Sequence, residues 1–122
     1  MSYTGWLLPE ADRDKLLRLF PPTYHDVIAH HVTLRMGANE VPEPTEGVIV
    51  GIVDDGNGVQ ALVVQIDGAI NRPDGYTYHI TWSVDRETHN RKPFHSLNVL
   101  KEKGWEPVWP TYINLVPQVF ED

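Results

Sequence analysis

The chain opens with a mainly aromatic and apolar run, YTGWLLP, which predicts a first strand over residues 3–9. EADRDKLLRLF follows as a helix. Its early residues are acidic, Leu16, Leu19 and Phe20 recur at helical spacing, and Pro21-Pro22 stops it. DVIAHHVTLRM is rich in β-branched residues and predicts a strand over 26–36. GANEVPEPTEG, with two prolines and three glutamates, is a loop. Two apolar runs then flank Asp55-Gly56-Asn57-Gly58, the strongest hairpin signal in the chain.

NRPDG predicts a turn into the strand YTYHITWSV, and DRETHNRKP is a polar loop. FHSLNVLKEKG predicts a second helix, with Ser96 as N-cap and Gly104 just past its end. The remainder, WEPVWPTYINLVPQVFED, reads as strand and loop interrupted by three prolines. Strands dominate and the hairpins imply antiparallel pairing, so the expected fold is α+β, with antiparallel sheets and two helices packed outside. At 122 residues the chain suits one domain, 1–122, with enough buried surface for a core.

Composition narrows the function. No apolar run approaches the ~18 residues of a membrane span, and MSYTGWLLPE lacks the basic and apolar regions of a secretory signal. The chain has no cysteine, which excludes disulfides and thiolate metal sites and suits a cytoplasmic location. The net charge of −7 argues against sequence-blind binding to long double-stranded nucleic acid. It leaves room for a small nucleotide or one RNA end in a local pocket. Positive charge gathers in Arg86, Arg91, Lys92, Lys101 and Lys103.

Within this pattern one phrase occurs twice: His31-Val32-Thr33-Leu34 and His79-Ile80-Thr81-Trp82. On a strand, residues i and i+2 share a face. The second copy puts Thr77, His79, Thr81 and Ser83 opposite an apolar face of Tyr76, Tyr78, Ile80 and Trp82. The first puts Ala29, His31, Thr33 and Arg35 together, with His30 expected on the buried side, pointing away from His31. Each strand thus offers an imidazole beside a hydroxyl. Two imidazoles supply a general base and a general acid near neutral pH. Two hydroxyls can hold non-bridging phosphate oxygens. Arg35, on the His31 face, is the expected neutraliser of phosphate charge, and no metal is needed. The start of the second helix, with Lys92 and Ser96, is a weaker candidate for anion binding, its plain reading being an exposed loop and a cap.

The two motifs resemble the signature of the 2H phosphoesterase superfamily, two His-x-[Thr/Ser]-apolar strings. The opening YTGWLLP…LLRLFPPTYHDVIAHHVTL also resembles its RNA-repair-like, tRNA-ligase-associated branch. The resemblance implies a compact bilobal fold with a cleft between its halves. It implies metal-independent opening of a cyclic phosphate or phosphodiester of a nucleotide or RNA end, without a cofactor. Carried over by position, His31 and His79 are the catalytic pair, and Thr33 and Thr81 hold phosphate. The short separation of the motifs implies trimmed lobes. A different class fits the same residues, a non-catalytic nucleotide-binding or sequestering module. Neither the substrate nor the oligomeric state follows from the sequence.

Overall fold

The computed structural model describes residues 1–121. Its elements are β1 (Ser2–Leu7), α1 (Glu10–Leu19), β2 (Asp26–Val27), β3 (His31–Met36), β4 (Thr45–Asp54), β5 (Val59–Ile66), β6 (His79–Val84), α2 (His95–Lys103) and β7 (Glu106–Glu121). The fold is α+β. Its seven strands form one sheet in the order β2-β6-β5-β4-β7-β1-β3, and every pairing is antiparallel. Among the described residues no helix is long and apolar enough to cross a membrane.

The two ends of that order are consecutive in the chain, and the residues between them join the edges. Ile28 and Ala29 donate their N–H groups to the carbonyls of Trp82 and Thr81 at 2.9 and 3.0 Å. Leu8 donates to the carbonyl of His30 at 2.9 Å. The sheet therefore closes on itself, which satisfies edge groups that would otherwise need water. Ala29 makes the corner with φ of 44°. This left-handed conformation is uncommon for a residue with a Cβ.

Alternation along each strand fills the interior. Trp6, Val32, Ile49, Leu62, Ile80 and Ile113, one from each long strand, belong to a single buried cluster. α1 adds Leu16 to that core, and the Trp82 indole N–H bonds the Phe20 carbonyl at its end at 2.7 Å. Leu19, expected on the same apolar face, is exposed. On the outer surface α2 packs Val99 and Leu100 against Val59, Ala61, Val63 and Val84. The hairpin forms as expected. Gly56 and Gly58 take positive φ, and the Asp55 carboxylate accepts the N–H groups of Asn57 and Val59.

The C-terminal segment differs from expectation, since β7 runs unbroken through Pro107, Pro110 and Pro117. It pairs with β4 along 106–115 and with β1 along 116–121. Each half thus has a strand neighbour on one side only, and a missing proline N–H can face the other side. Pro110 lies in a bulge, where β4 steps from Ile49 to Gly51 while β7 steps from Thr111 to Pro107. α1 covers part of the open side. Lys15 donates to the Tyr112 carbonyl at 2.9 Å, and Asp12 accepts the Asn114 N–H at 3.1 Å.

Candidate active site

β2 pairs with β6 in a register that places Asp26 opposite Val84 and Val27 opposite Ser83. The bonds from Ile28 to Trp82 and from Ala29 to Thr81 continue it. The corner at Ala29 ends that register, and His31 begins β3 just beyond it, while His79 begins β6. There the strands part, β3 to pair with β1 and β6 with β5. A cavity of about 470 Å³ opens in the gap, lined by His31, Thr33, His79 and Thr81. Both copies of the repeated phrase therefore face one cavity, on the outer side of the sheet. The start of α2 forms its far wall through Phe94, Ser96 and Leu97.

Arg35 is not part of this lining, contrary to the expectation from simple alternation. β1 steps from Thr4 to Gly5 while its partners on β3 step from Arg35 to Thr33, leaving Leu34 as the extra residue of a bulge. Alternation reverses beyond it. Met36 joins the cavity and Arg35 is exposed outside it, acting electrostatically on Tyr78 instead. Gly5 permits the close approach, because a Cβ there would collide with the carbonyl oxygen of Val32.

The guanidinium in the cavity belongs to Arg72, which sequence reasoning read only as part of a turn. Arg72 is buried, and Asp74 clamps it through contacts of 3.1 and 2.6 Å. This planar, two-point pairing fixes the charge in place. Its effect reaches His79, whose pKa it helps to lower. The only trace in the sequence is an arginine two residues before an aspartate in a turn, a pattern too common to single it out.

His79 is oriented at both nitrogens. Nδ1 lies 2.8 Å from the Thr77 carbonyl oxygen, an acceptor, so Nδ1 carries the proton. Nε2 lies 3.0 Å from the Ser96 hydroxyl. Burial, and then the Arg72 charge, push the His79 pKa down, while the Thr77 bond opposes them. The ring is therefore neutral, with its lone pair on Nε2 and the Ser96 hydroxyl donating to it. Ser96 also lies 2.7 Å from the Pro93 carbonyl and 2.8 Å from the Thr81 hydroxyl. This corrects its expected role as a cap, because α2 begins at His95 with Phe94 at its N-cap position and no side-chain cap bond. Thr81 is likewise engaged, at 3.2 Å from the same Pro93 carbonyl.

His31 has different surroundings. Its ring lies 4.7 Å from that of Phe120 and 5.5 Å from that of Tyr3. Its Nδ1 faces the Nδ1 of His30 at 3.1 Å. His30 is exposed, not buried as alternation implies, because the corner at Ala29 breaks the strand immediately before it. Burial, then His30 and His79, push the His31 pKa down to about 4. Nε2 of His31 and the hydroxyl of Thr33 are left without hydrogen-bond partners among the described residues.

The aromatic side chains near the site divide between core and cavity. Trp6, Tyr78 and Trp82 are core residues, whereas Tyr3 lines the cavity beside the exposed Phe94. Among the described residues no group of three or more His, Asp or Glu side chains is placed to hold a metal ion. Compared with protein-family models, curated proteins and solved structures, the chain matches none.

Proposed function

We propose that this protein is a metal-independent phosphodiesterase of the 2H type. It hydrolyses a cyclic phosphate or phosphodiester of a nucleotide or RNA end, and works in the cytoplasm. The observation that carries this reading is the shared cavity. Two His-x-Thr strings far apart in the chain line it together, and the buried Arg72 lines it with them. In this reading the sheet is a compact version of the bilobal architecture. One motif strand comes from the β1–β3 side and the other from the β5–β6 side.

The hydrogen bonds favour a division of labour. His79 holds its proton on Nδ1 and a lone pair on Nε2, as a general base must. Ser96 occupies that lone pair in the free protein, but its hydroxyl has a second acceptor in the Pro93 carbonyl. Turning to Pro93 releases Nε2 to take a proton from the attacking water. The water oxygen bonds to phosphorus as the bond from phosphorus to the ribose oxygen breaks. His31, protonated at Nε2 once an anionic phosphate enters beside it, gives that proton to the leaving oxygen. Arg72 and the Thr33 hydroxyl stabilise the charge on the non-bridging oxygens. Thr81 joins them when its proton turns from Pro93 to phosphate.

One observation favours a second reading, a module that binds a nucleotide without turnover. Burial and neighbouring groups hold both histidines neutral, so no acid is in place. Incubation of the pure protein with a panel of cyclic nucleotides in EDTA, with products read by chromatography, tests the two. Ring-opened products that need both histidines support the enzyme. Tight binding with the nucleotide recovered intact supports the module.

A further inference from the structure

A second pocket, of about 330 Å³, adjoins the histidine cavity. Leu97 lines both. The ion pair of Arg72 and Asp74 spans the boundary, with Arg72 on the histidine side and Asp74 on the other. Two further side chains of this pocket have no part in the reaction described above. Tyr76 is exposed, with the Arg72 guanidinium 5.4 Å from its ring centroid. Lys101, from the next turn of α2 after Leu97, is exposed and has no ion-pair partner among the described residues.

We propose that this pocket binds the nucleotide neighbouring the scissile phosphate, so that the substrate is a short oligonucleotide rather than a single nucleotide. The proposal rests on the phosphodiesterase reading for the identity of the first pocket. An oligonucleotide presents a base and a backbone phosphate in each repeat. The second pocket offers one aromatic ring for the base and one ammonium for the phosphate. Arg72 lies over the Tyr76 ring, which is itself exposed and lines the pocket where a base would stack. Among the described residues Asp74 is the one anionic group in the lining, and Arg72 neutralises it while holding its carboxyl below the usual range. The pocket therefore does not repel a phosphate. The chain's net charge of −7 limits the binding to a short segment.

The test compares adenosine 2′,3′-cyclic phosphate with the dinucleotide ApA ending in a 2′,3′-cyclic phosphate. The ratio of their kcat/KM values is measured for the wild type, Lys101→Ala and Tyr76→Ala. The proposal predicts a wild-type preference for the dinucleotide of at least about tenfold, in line with one stacked base. Each substitution should bring that ratio towards one. A wild-type ratio near one, or a preference that survives both substitutions, overturns the proposal and leaves the phosphodiesterase reading intact. Turnover of neither substrate defeats that reading instead. The same comparison is then made on binding of the dinucleotide and mononucleotide 3′-phosphates by calorimetry. A preference lost in both variants upholds the second pocket, and equal affinities refute it.

Discussion

His30 and His31 face each other through their Nδ1 atoms at 3.1 Å. Only one proton fits between them, so whichever ring donates, the other must accept. The contact exists because Ala29 turns the chain with positive φ just before the two residues, cancelling the opposed directions of adjacent strand positions. It joins an exposed imidazole to one that lines the cavity. After burial, His30 is the next cause holding the His31 pKa down at about 4. In His30→Ala the inflection of His31 in a proton NMR titration should therefore move upward from about 4 towards its ordinary 6.5. An unchanged inflection would show that the two rings do not interact.

The low pKa of His31 also ties stability to pH. The folded value is about 4 against 6.5 when unperturbed, so the unfolded chain takes up its proton first as pH falls. The contribution to stability is fully present above pH 6.5 and is lost on descending to about 4. The window corresponds to about 3 kcal/mol, and His79 shifts in the same direction. Urea denaturation followed from pH 7 to pH 4.5 should show a falling midpoint, and His31→Asn should flatten the fall. A midpoint independent of pH across that range in the wild type would refute the burial of His31.

Arg72, not Arg35, should govern affinity for phosphate. Arg72→Gln removes a charged donor from the cavity. It should weaken adenosine 3′-phosphate binding by about 1.5–3 kcal/mol, roughly ten- to hundredfold. Arg35→Ala should change it by less than about twofold, because the side chain is exposed outside the lining. Calorimetric titration of both variants separates the two arginines, and a larger loss in Arg35→Ala would reverse the assignment.

Ser96 sits on His79 Nε2 much as a nucleophile sits on its base. In the present account it only occupies the lone pair until substrate arrives. Ser96→Ala should then retain activity within about tenfold of wild type, the scale of one hydrogen bond. Loss of all turnover, or a covalent phosphoryl-protein adduct seen by mass spectrometry in the wild type, would identify Ser96 as a nucleophile instead.

Much of this architecture was legible in the sequence because it depends on local pattern. The sequence alternates without a break along 76–84, and the structure keeps His79 and Thr81 on one face, with Ile80 and Trp82 buried behind them; Trp82 is the extra residue of a bulge against β5, so Ser83, expected on the histidine face, is buried, and Val84 joins the outer cluster. The acidic start and proline stop of α1 and the Asp-Gly-Asn-Gly turn are equally local. What escaped depends on a partner strand. The bulge at Leu34 comes from pairing with β1, and it exchanges Arg35 for Met36 in the cavity. The prolines of β7 read as breaks until its neighbours are seen to bond each half on one side. Arg72 enters the cavity through the pairing of Asn71 with Thr77 just before β6, and Ser96 because α2 packs over the outer face.

The central claim is that His31 and His79 act as one acid–base pair on a phosphate held between them. It is tested most directly by the turnover of a cyclic-phosphate substrate in EDTA by wild type, His31→Ala, His79→Ala and the double variant. The account predicts wild-type turnover with a bell-shaped pH profile. Each single variant should lose ~10²–10⁴-fold, and the double variant should lose less than the product of the two losses. Activity that vanishes in EDTA and returns with zinc or manganese would contradict it, as would single variants that turn over at the wild-type rate.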